Sequence, residues 1–110
     1  MEIEMMINKY RLAGPLAASA KAKRVYLEEF KRTLLALLMK DAEIKGCKVV
    51  SAQDRDAYAD DRYVDHLKGY KVAVEEDELM KFEVKRLELE IEVWRTQQAN
   101  ERLERKAYGT

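Results

Sequence analysis

The only histidine in the chain, His66, has three aspartates close to it in sequence, Asp60, Asp61 and Asp65. Imidazole and carboxylate groups serve as metal ligands and general bases. On a helix, however, Asp65 lies about 100° around the axis from His66. Asp61 and Asp60 precede His66 by five and six residues, and neither spacing brings two ligands together on one helical face. We therefore predict a partly buried interface histidine rather than a metal ligand or a catalytic base.

Paired carboxylates at helical spacing occur twice, as Glu75 with Glu78 in the acidic run Glu75–Glu78, and as Glu101 with Glu104. Such pairs bind Mg²⁺ in all-α nucleotide pyrophosphatases. On one helix the two pairs are roughly 39 Å apart, so within one chain they do not converge on an ion. The acidic run is typical of a solvated face. A metal-dependent nucleotide hydrolase is therefore a remote alternative, and we predict no metal or cofactor.

Other catalytic patterns are missing from the sequence. It has no Ser/His/Asp arrangement, Cys–His pair, phosphate loop or dinucleotide fingerprint, so we do not expect an enzyme. The lone Cys47 fits a reducing compartment. No run of about 18 apolar residues is present, and the start resembles no secretory signal. We therefore expect a cytoplasmic protein without a membrane partner.

Basic residues form two groups that are distant in sequence. If the two segments run side by side in opposite directions, the groups form one basic end that contacts phosphate or steers subunit pairing. Nearby glutamates dilute this charge, and the net charge of the whole chain is zero. Direct nucleic-acid binding is therefore our second hypothesis. The candidate contact residues are Lys21, Lys23, Arg24, Arg95, Arg102, Arg105 and Lys106.

The elements that carry these residues are predicted to be long helices. Charged residues make up 38% of the chain and hydrophobic ones 47%, with one Pro and four Gly, a composition typical of helices with one buried and one solvated face. We predict an all-α, coiled-coil-like antiparallel hairpin, residues 14–110, preceded by a short N-terminal helix or arm, residues 1–13. Gly14-Pro15 is expected to break the chain between them. The hairpin helices are expected at about 15–45, 51–59 and 61–107, with Gly46 ending the first, Ser51 capping the short connector helix, and Asp60-Asp61 as a break or second cap.

A stripe of large residues, spaced alternately by three and four, runs along the last helix. We call it the α3 seam: Tyr63, His66, Tyr70, Ala73, Asp77, Met80, Val84, Leu87, Ile91 and Trp94. The same rhythm in the preceding long helix predicts that Leu27, Phe30, Leu34 and Leu37 cover it. Within the seam, Asp77 is expected to fix the register at some cost in stability. Trp94 is predicted to be core or an interface anchor, with base stacking as the sharper alternative.

A second apolar row widens the buried face of the last helix beyond one seam. Its members are Leu67, Val74, Phe82, Leu89 and Val93. A two-helix unit with two apolar rows is difficult to cover within one chain. We therefore predict a homodimer or a higher oligomer built through the long helices, in which the α3 seam from Tyr63 to Trp94 builds the oligomer and the exposed ends present charge to a partner.

Three stretches together resemble a known group of proteins: residues 23–30 (KRVYLEEF), 52–59 (AQDRDAYA) and 91–97 (IEVWRTQ). They are similar to small helical proteins of tailed bacteriophages and prophages that are encoded among early genes for recombination and replication. The resemblance covers about residues 18–105. It implies the cytoplasm of an infected bacterium and work near DNA, and it supplies no active site. We accordingly expect a non-enzymatic phage accessory or adaptor protein that acts in DNA recombination or replication through protein partners.

Overall fold

The fold is an all-α helical hairpin, as predicted. A computed structural model describes residues 2–109 and contains three helices in that range and no strand: α1 (Ile3–Ile44), α2 (Val50–Ala59) and α3 (Asp61–Ala107). The connector helix begins one residue earlier than predicted, and α3 has the predicted bounds.

The predicted break at Gly14-Pro15 is wrong, because α1 continues through both residues and residues 3–13 form no separate helix. Pro15 has no N–H to donate to the carbonyl of Arg11, so a proline at this place costs helix stability. That cost is outweighed because α1 is anchored on the N-terminal side of the proline. Met6 and Ala13, seven residues apart on one helical face, are both buried.

The end of α1 follows the prediction for Gly46. Its φ is +107°, a left-handed conformation that glycine adopts without a Cβ clash. The N–H of Gly46 donates to the carbonyl of Glu43, and the N–H of Cys47 donates to that of Ala42. These two bonds form a Schellman motif, which stops the helix and satisfies its last carbonyls.

The start of α2 differs from the prediction. Ser51 lies inside the helix, and Val49 occupies the cap position without a side-chain bond. The side chain of Gln53 instead donates from Nε2 to the carbonyl of Cys47 at 2.8 Å. This buried amide ties the first turn of α2 to the connector, so the connector rather than a hydroxyl cap orients the helix start.

Asp60 caps α3, as one of the two predicted alternatives states. The N–H of Arg62 donates to Asp60 Oδ1 at 2.8 Å, the position of an N-cap bond. The Arg62 guanidinium also contacts Asp60 Oδ2 at 2.9 Å and Asp41 Oδ2 of α1 at 2.8 Å. The cap therefore also links the start of α3 to α1.

The chain divides into two compact units, which we describe separately. The loop unit is Ser19–Asp77, and the terminal unit comprises the described parts of Met1–Ala18 and Glu78–Thr110. In the loop unit, α1 and α3 are antiparallel, because Arg24 pairs with Asp77 and Asp41 pairs with Arg62. Its core cluster consists of Leu38, Ala57 and Tyr63, with Leu34, Leu35 and Met39 packed against it. In the terminal unit, the hydroxyl of Tyr10 on α1 donates to Glu88 on α3 at 3.1 Å.

Candidate interaction surface

The α3 seam is buried within the single chain. Of its ten residues, Tyr63, Ala73, Asp77 and Leu87 are buried, the other six are half-buried, and none is exposed. The half-buried members are His66, Tyr70, Met80, Val84, Ile91 and Trp94. Since this stripe is already covered in one copy, residues elsewhere have to supply most of any contact with a partner.

The covering stripe on α1 is shifted from the predicted one. Leu27, Phe30 and Leu34 are half-buried, as expected for a seam. Leu37, however, is 52% exposed, and its neighbour Leu38 is 3% exposed. Leu38 belongs to the core cluster with Ala57 of α2, so packing against α2 moves the buried face of α1 one residue onward. The prediction of Leu37 as a seam residue is wrong for this reason.

An ion pair crosses the seam in the loop unit. Asp77 is buried, and its Oδ2 accepts a bond from Arg24 Nη1 at 3.1 Å. Beside it, the ammonium of Lys23 lies 3.7 Å from Glu76. A buried carboxylate paired with a cation on the facing helix favours a single register of the two helices, because sliding α1 by a turn separates the charges. The predicted register role of Asp77 thus has a structural basis, with Arg24 as its partner.

His66 packs between aromatic rings. Its ring centroid lies 6.1 Å from that of Phe30 and 6.4 Å from that of Tyr63. This position is that of the half-buried interface histidine predicted from the sequence. Within residues 2–109, no group of three or more His, Cys, Asp and Glu side chains is placed to hold a metal ion.

The carboxyl and guanidinium groups at the start of α3 shift each other's pKa. Hydrogen bonds from Arg62 lower the pKa of Asp60 to about 2, because they stabilise the carboxylate. The same bonds, with that to Asp41, raise the pKa of Arg62. In the terminal unit, the bond from Tyr10 to the Glu88 carboxylate raises the pKa of Tyr10, because its phenolate would face a second negative charge. Each of these groups is thus engaged in a hydrogen bond or an ion pair within its unit.

The candidate phosphate contacts belong to two different units of the chain. Lys21, Lys23 and Arg24 belong to the loop unit, where Lys23 and Arg24 pair with acidic residues in the middle of α3 rather than with its end. The other four, Arg95, Arg102, Arg105 and Lys106, belong to the terminal unit and are exposed. Arg95 lies 3.6 Å from Glu92, and Arg102 Nε donates to the carbonyl of Gln98. The physical reason is the unbroken α1, which places Lys23 and Arg24 far along the helix instead of at its start.

An apolar row on α3 remains uncovered in the terminal unit. Leu87 and Leu89 are only two residues apart, about 200° around the helix, and their exposed fractions are 1% and 55%. The exposed apolar residues on the same side of α3 as Leu89 form a row with the spacing of a coiled-coil seam. We call it the outer row: Leu79, Phe82, Leu89, Val93 and Leu103, all at least 55% exposed. Phe82, Leu89 and Val93 were predicted to widen the buried face. Leu79 and Leu103 were missed, although Leu79 lies three residues before Phe82 and Leu103 lies three heptads after it.

A groove runs beside the outer row in the terminal unit. We call it the Trp94 groove; its volume is about 430 Å³, and Met6, Arg86, Leu89, Glu90, Val93, Trp94 and Gln97 line it. Trp94 also lines a second cavity, together with Glu2 and with Ile3 and Glu4 of α1. Trp94 therefore stands where α1 begins, with its ring half-buried. The stretch of α3 beyond this place, residues 99–107, is exposed along its whole length.

One carboxylate oxygen in the Trp94 groove has no partner. Glu90 Oε1 accepts a bond from Arg86 Nη1, and Arg86 also binds Glu83, whose pKa it lowers. Glu90 Oε2 is buried and has no hydrogen-bond partner among the described residues. A buried carboxylate oxygen without a donor is energetically costly, so this atom marks a place for an incoming donor. The sequence pattern contains no signal for it, since Glu90 reads as one more charged residue of a solvated face.

Comparisons of the chain with protein families, with curated proteins and with solved structures found no match. No helix in the described part of the chain is long and apolar enough to cross a membrane.

Proposed function

We propose that this protein is a non-enzymatic adaptor that self-associates through the terminal unit and presents its helices to a protein partner. The observation that supports the proposal is the outer row. Five large apolar side chains line one face of α3, although the seam of the same helix is already buried. Exposed apolar rows of this kind mark protein interaction sites, because leaving them in water has a free-energy cost that association removes.

The biological setting of this adaptor is phage DNA recombination or replication in the bacterial cytoplasm. That setting is supported by the resemblance of residues 23–30, 52–59 and 91–97 to small helical phage proteins. Residues 91–97 include Val93 of the outer row and Trp94 of the groove, so the resembling segment coincides with the proposed interaction surface.

Sedimentation equilibrium over a wide concentration range tests the self-association. The wild-type protein is expected to exceed the monomer mass, and Leu79→Asp is expected to lower the association constant because it places a charge on the outer row. Leu37→Asp is the matched control, since Leu37 is an exposed leucine of the loop unit. A wild-type protein that stays monomeric at every concentration would refute the proposal.

The setting in DNA metabolism has its own test. Cross-linking of the tagged protein in its host, followed by mass spectrometry, is expected to identify recombination or replication proteins with the wild type. The same proteins should be lost with Leu79→Asp and retained with Leu37→Asp. Partners confined to other processes would place the adaptor elsewhere.

Direct nucleic-acid binding is the second candidate, supported by the exposed cations at the end of α3. Two of its proposed contacts already have acidic partners, since half-buried Arg24 pairs with Asp77 and Lys23 lies 3.7 Å from Glu76. Titration of labelled single- and double-stranded DNA at several salt concentrations separates the two functions. A steep salt slope that disappears when Arg95, Arg102 and Lys106 are changed together to Glu would favour direct binding. The adaptor function predicts no binding at low salt.

A further inference from the structure

We propose that two copies of this chain pair through their outer rows as a parallel, in-register coiled coil of α3 helices, in which Lys85 of each copy donates to Glu90 of the other. This inference rests on the proposed self-association and identifies the residues that perform it. All of these residues belong to the terminal unit. The two copies present the same face to each other, as a twofold dimer requires.

The outer row occupies one face of α3 and has the repeat of a coiled-coil seam. Three polar residues, Arg86, Thr96 and Asn100, stand at the steps between its five apolar ones. With them, the positions from Leu79 to Leu103 follow one another at alternating steps of three and four residues. Such a row drifts by only about 20° per heptad on a straight helix, and supercoiling of the two helices removes that drift.

Apolar matching selects the parallel direction. In a parallel pair in register, each residue of the row meets its own copy, so all five exposed apolar side chains meet apolar partners and leave water. An antiparallel pair with the same overlap has its axis near residue 91. It sets Phe82 of one copy against Asn100 of the other, so an aromatic ring is lost from the apolar contact.

The residue types at the two kinds of row position also favour two parallel strands. Val93 stands at an a position, three residues before the next d position, and Leu89 and Leu103 stand at d positions. A β-branched residue at a with leucine at d favours two-stranded parallel coiled coils. Asn100 is at an a position, where a single asparagine specifies the register and the number of strands.

Lys85 and Glu90 lie on the two flanks of the row. At 100° per residue, each is about 70° around α3 from the direction midway between Arg86 and Leu89, on opposite sides. In a parallel pair, the residue on one flank meets the residue five positions later on the other flank of the second helix. Exposed Lys85 of one copy therefore meets Glu90 of the other, whose Oε2 is buried without a donor among the described residues. The ammonium supplies that donor in a charge-assisted bond.

The like charges that also meet in this pair are balanced within each chain. Arg86 meets its own copy, but its guanidinium is bound by the carboxylates of Glu83 and Glu90. Glu78 of one copy approaches Glu83 of the other. Each of these two carboxylates already has a cation of its own chain, Lys81 at 3.5 Å from Glu78 and Arg86 at 2.6 Å from Glu83. The contact between Lys85 and Glu90 therefore remains as the attractive one.

An antiparallel pair offers Glu90 no cation. It brings the Glu90 flank of one copy against the same flank of the other. That flank carries three carboxylates and one amide within the row, at Glu83, Glu90, Gln97 and Glu104. Carboxylates that face one another across a contact oppose association. The missing donor of Glu90 and the apolar matching thus select the same direction.

Engineered disulfides test the parallel register. In a Cys47→Ser background, we introduce Leu79→Cys and Leu103→Cys one at a time. The two positions are about 36 Å apart along α3, whereas a disulfide needs Cα atoms within roughly 7 Å. On oxidation, each single variant is expected to form a covalent dimer, because each position meets its own copy. Leu37→Cys, at an exposed leucine of the loop unit, is the matched control for random collision.

The possible results separate this inference from the proposed self-association. Cross-linking of only one of the two single variants, or only of the variant that combines them, indicates an antiparallel pair and overturns the inference while leaving self-association intact. Cross-linking no faster than that of Leu37→Cys, in a protein that sediments as a dimer when reduced, places the contact on another surface and also overturns it. A wild-type protein that is monomeric refutes the proposed self-association together with this inference.

Charge exchange tests the contact between Lys85 and Glu90. Lys85→Glu is expected to weaken dimerisation about tenfold, because both copies of the contact then bring like charges together. Adding Glu90→Lys is expected to restore most of the affinity. Lys31→Glu, at an exposed site of the loop unit, is the control for the change of net charge. Circular dichroism confirms that each variant keeps its helices.

A second combination distinguishes the two directions. In the antiparallel pair about residue 91, Lys85 faces Glu92 of the second copy instead of Glu90. Recovery of affinity when Glu92→Lys is added to Lys85→Glu, and not when Glu90→Lys is added, would therefore overturn the parallel pairing. Recovery with neither change would overturn the assignment of Lys85 as the donor to Glu90.

Discussion

Truncation of Leu87 and of Leu89 to alanine should have very different effects on stability. The two leucines are neighbours on α3, but Leu87 is 1% exposed and Leu89 is 55% exposed. Each change removes three carbon atoms, and at about 0.8 kcal/mol per methylene full burial of these atoms is worth about 2.5 kcal/mol. At Leu87 the remaining cavity raises the loss to about 3–4 kcal/mol. At Leu89 less than half of the transfer free energy is at stake, so about 1 kcal/mol is expected.

Urea denaturation followed by far-UV circular dichroism measures both free energies of unfolding. Because Leu89 lies in the proposed dimer contact, the measurement is repeated at several protein concentrations and extrapolated to the monomer. An unchanged slope with urea shows that the variants unfold between the same two states. A loss at Leu89 equal to that at Leu87, or a loss at Leu87 below about 1 kcal/mol, would refute the division of α3 into a buried seam and an exposed row.

Three further variants test individual contacts. Pro15→Ala is expected to raise the free energy of unfolding by at least about 1 kcal/mol, because the alanine N–H completes α1; a decrease would contradict the continuous helix. Arg24→Met is expected to cost about 2 kcal/mol in urea denaturation, since it removes a cation beside buried Asp77, and the loss is moderated because the Arg24 side chain is 28% exposed; the double variant with Asp77→Leu should recover most of this loss. Asp60→Asn tests the lowered pKa of Asp60. Because the stabilising form is the carboxylate, the wild type should have its full excess in free energy of unfolding over the variant above pH 4, and should lose it as the pH falls from 3.8, the ordinary pKa of the group, to about 2. An excess that does not change with pH would rule out this linkage.

Much of the fold is encoded in neighbouring residues and was predictable for that reason. The α3 seam follows from a repeat of three and four residues, and none of its ten residues is exposed. Gly46 ends α1 and Asp60 begins α3 through bonds to residues at most five positions away. The bounds of α3 and the buried environment of His66 were predictable for the same reason, since a helix converts short sequence spacings directly into faces.

The incorrect predictions share a different cause. The expected break at Pro15 came from a local rule, which is overridden by the burial of Met6 and Ala13. Continuation of α1 then changes which residues it places opposite α3, so Lys23 and Arg24 meet Glu76 and Asp77 rather than the basic end of that helix. Leu38 replaces Leu37 in the core because Ala57 of α2 packs against it. None of these outcomes depends on spacing within one helix.

By itself, the sequence determined that this protein is a helical hairpin with a covered seam and a second apolar row on α3. Only the tertiary structure decided which apolar residues stay exposed and that Glu90 Oε2, beside Trp94, has no hydrogen-bond donor among the described residues. The physical reason is the distance along the sequence over which each interaction acts. Helix periodicity and capping act over a few residues, whereas the register of α1 on α3 depends on contacts between residues as far apart as Tyr10 and Glu88.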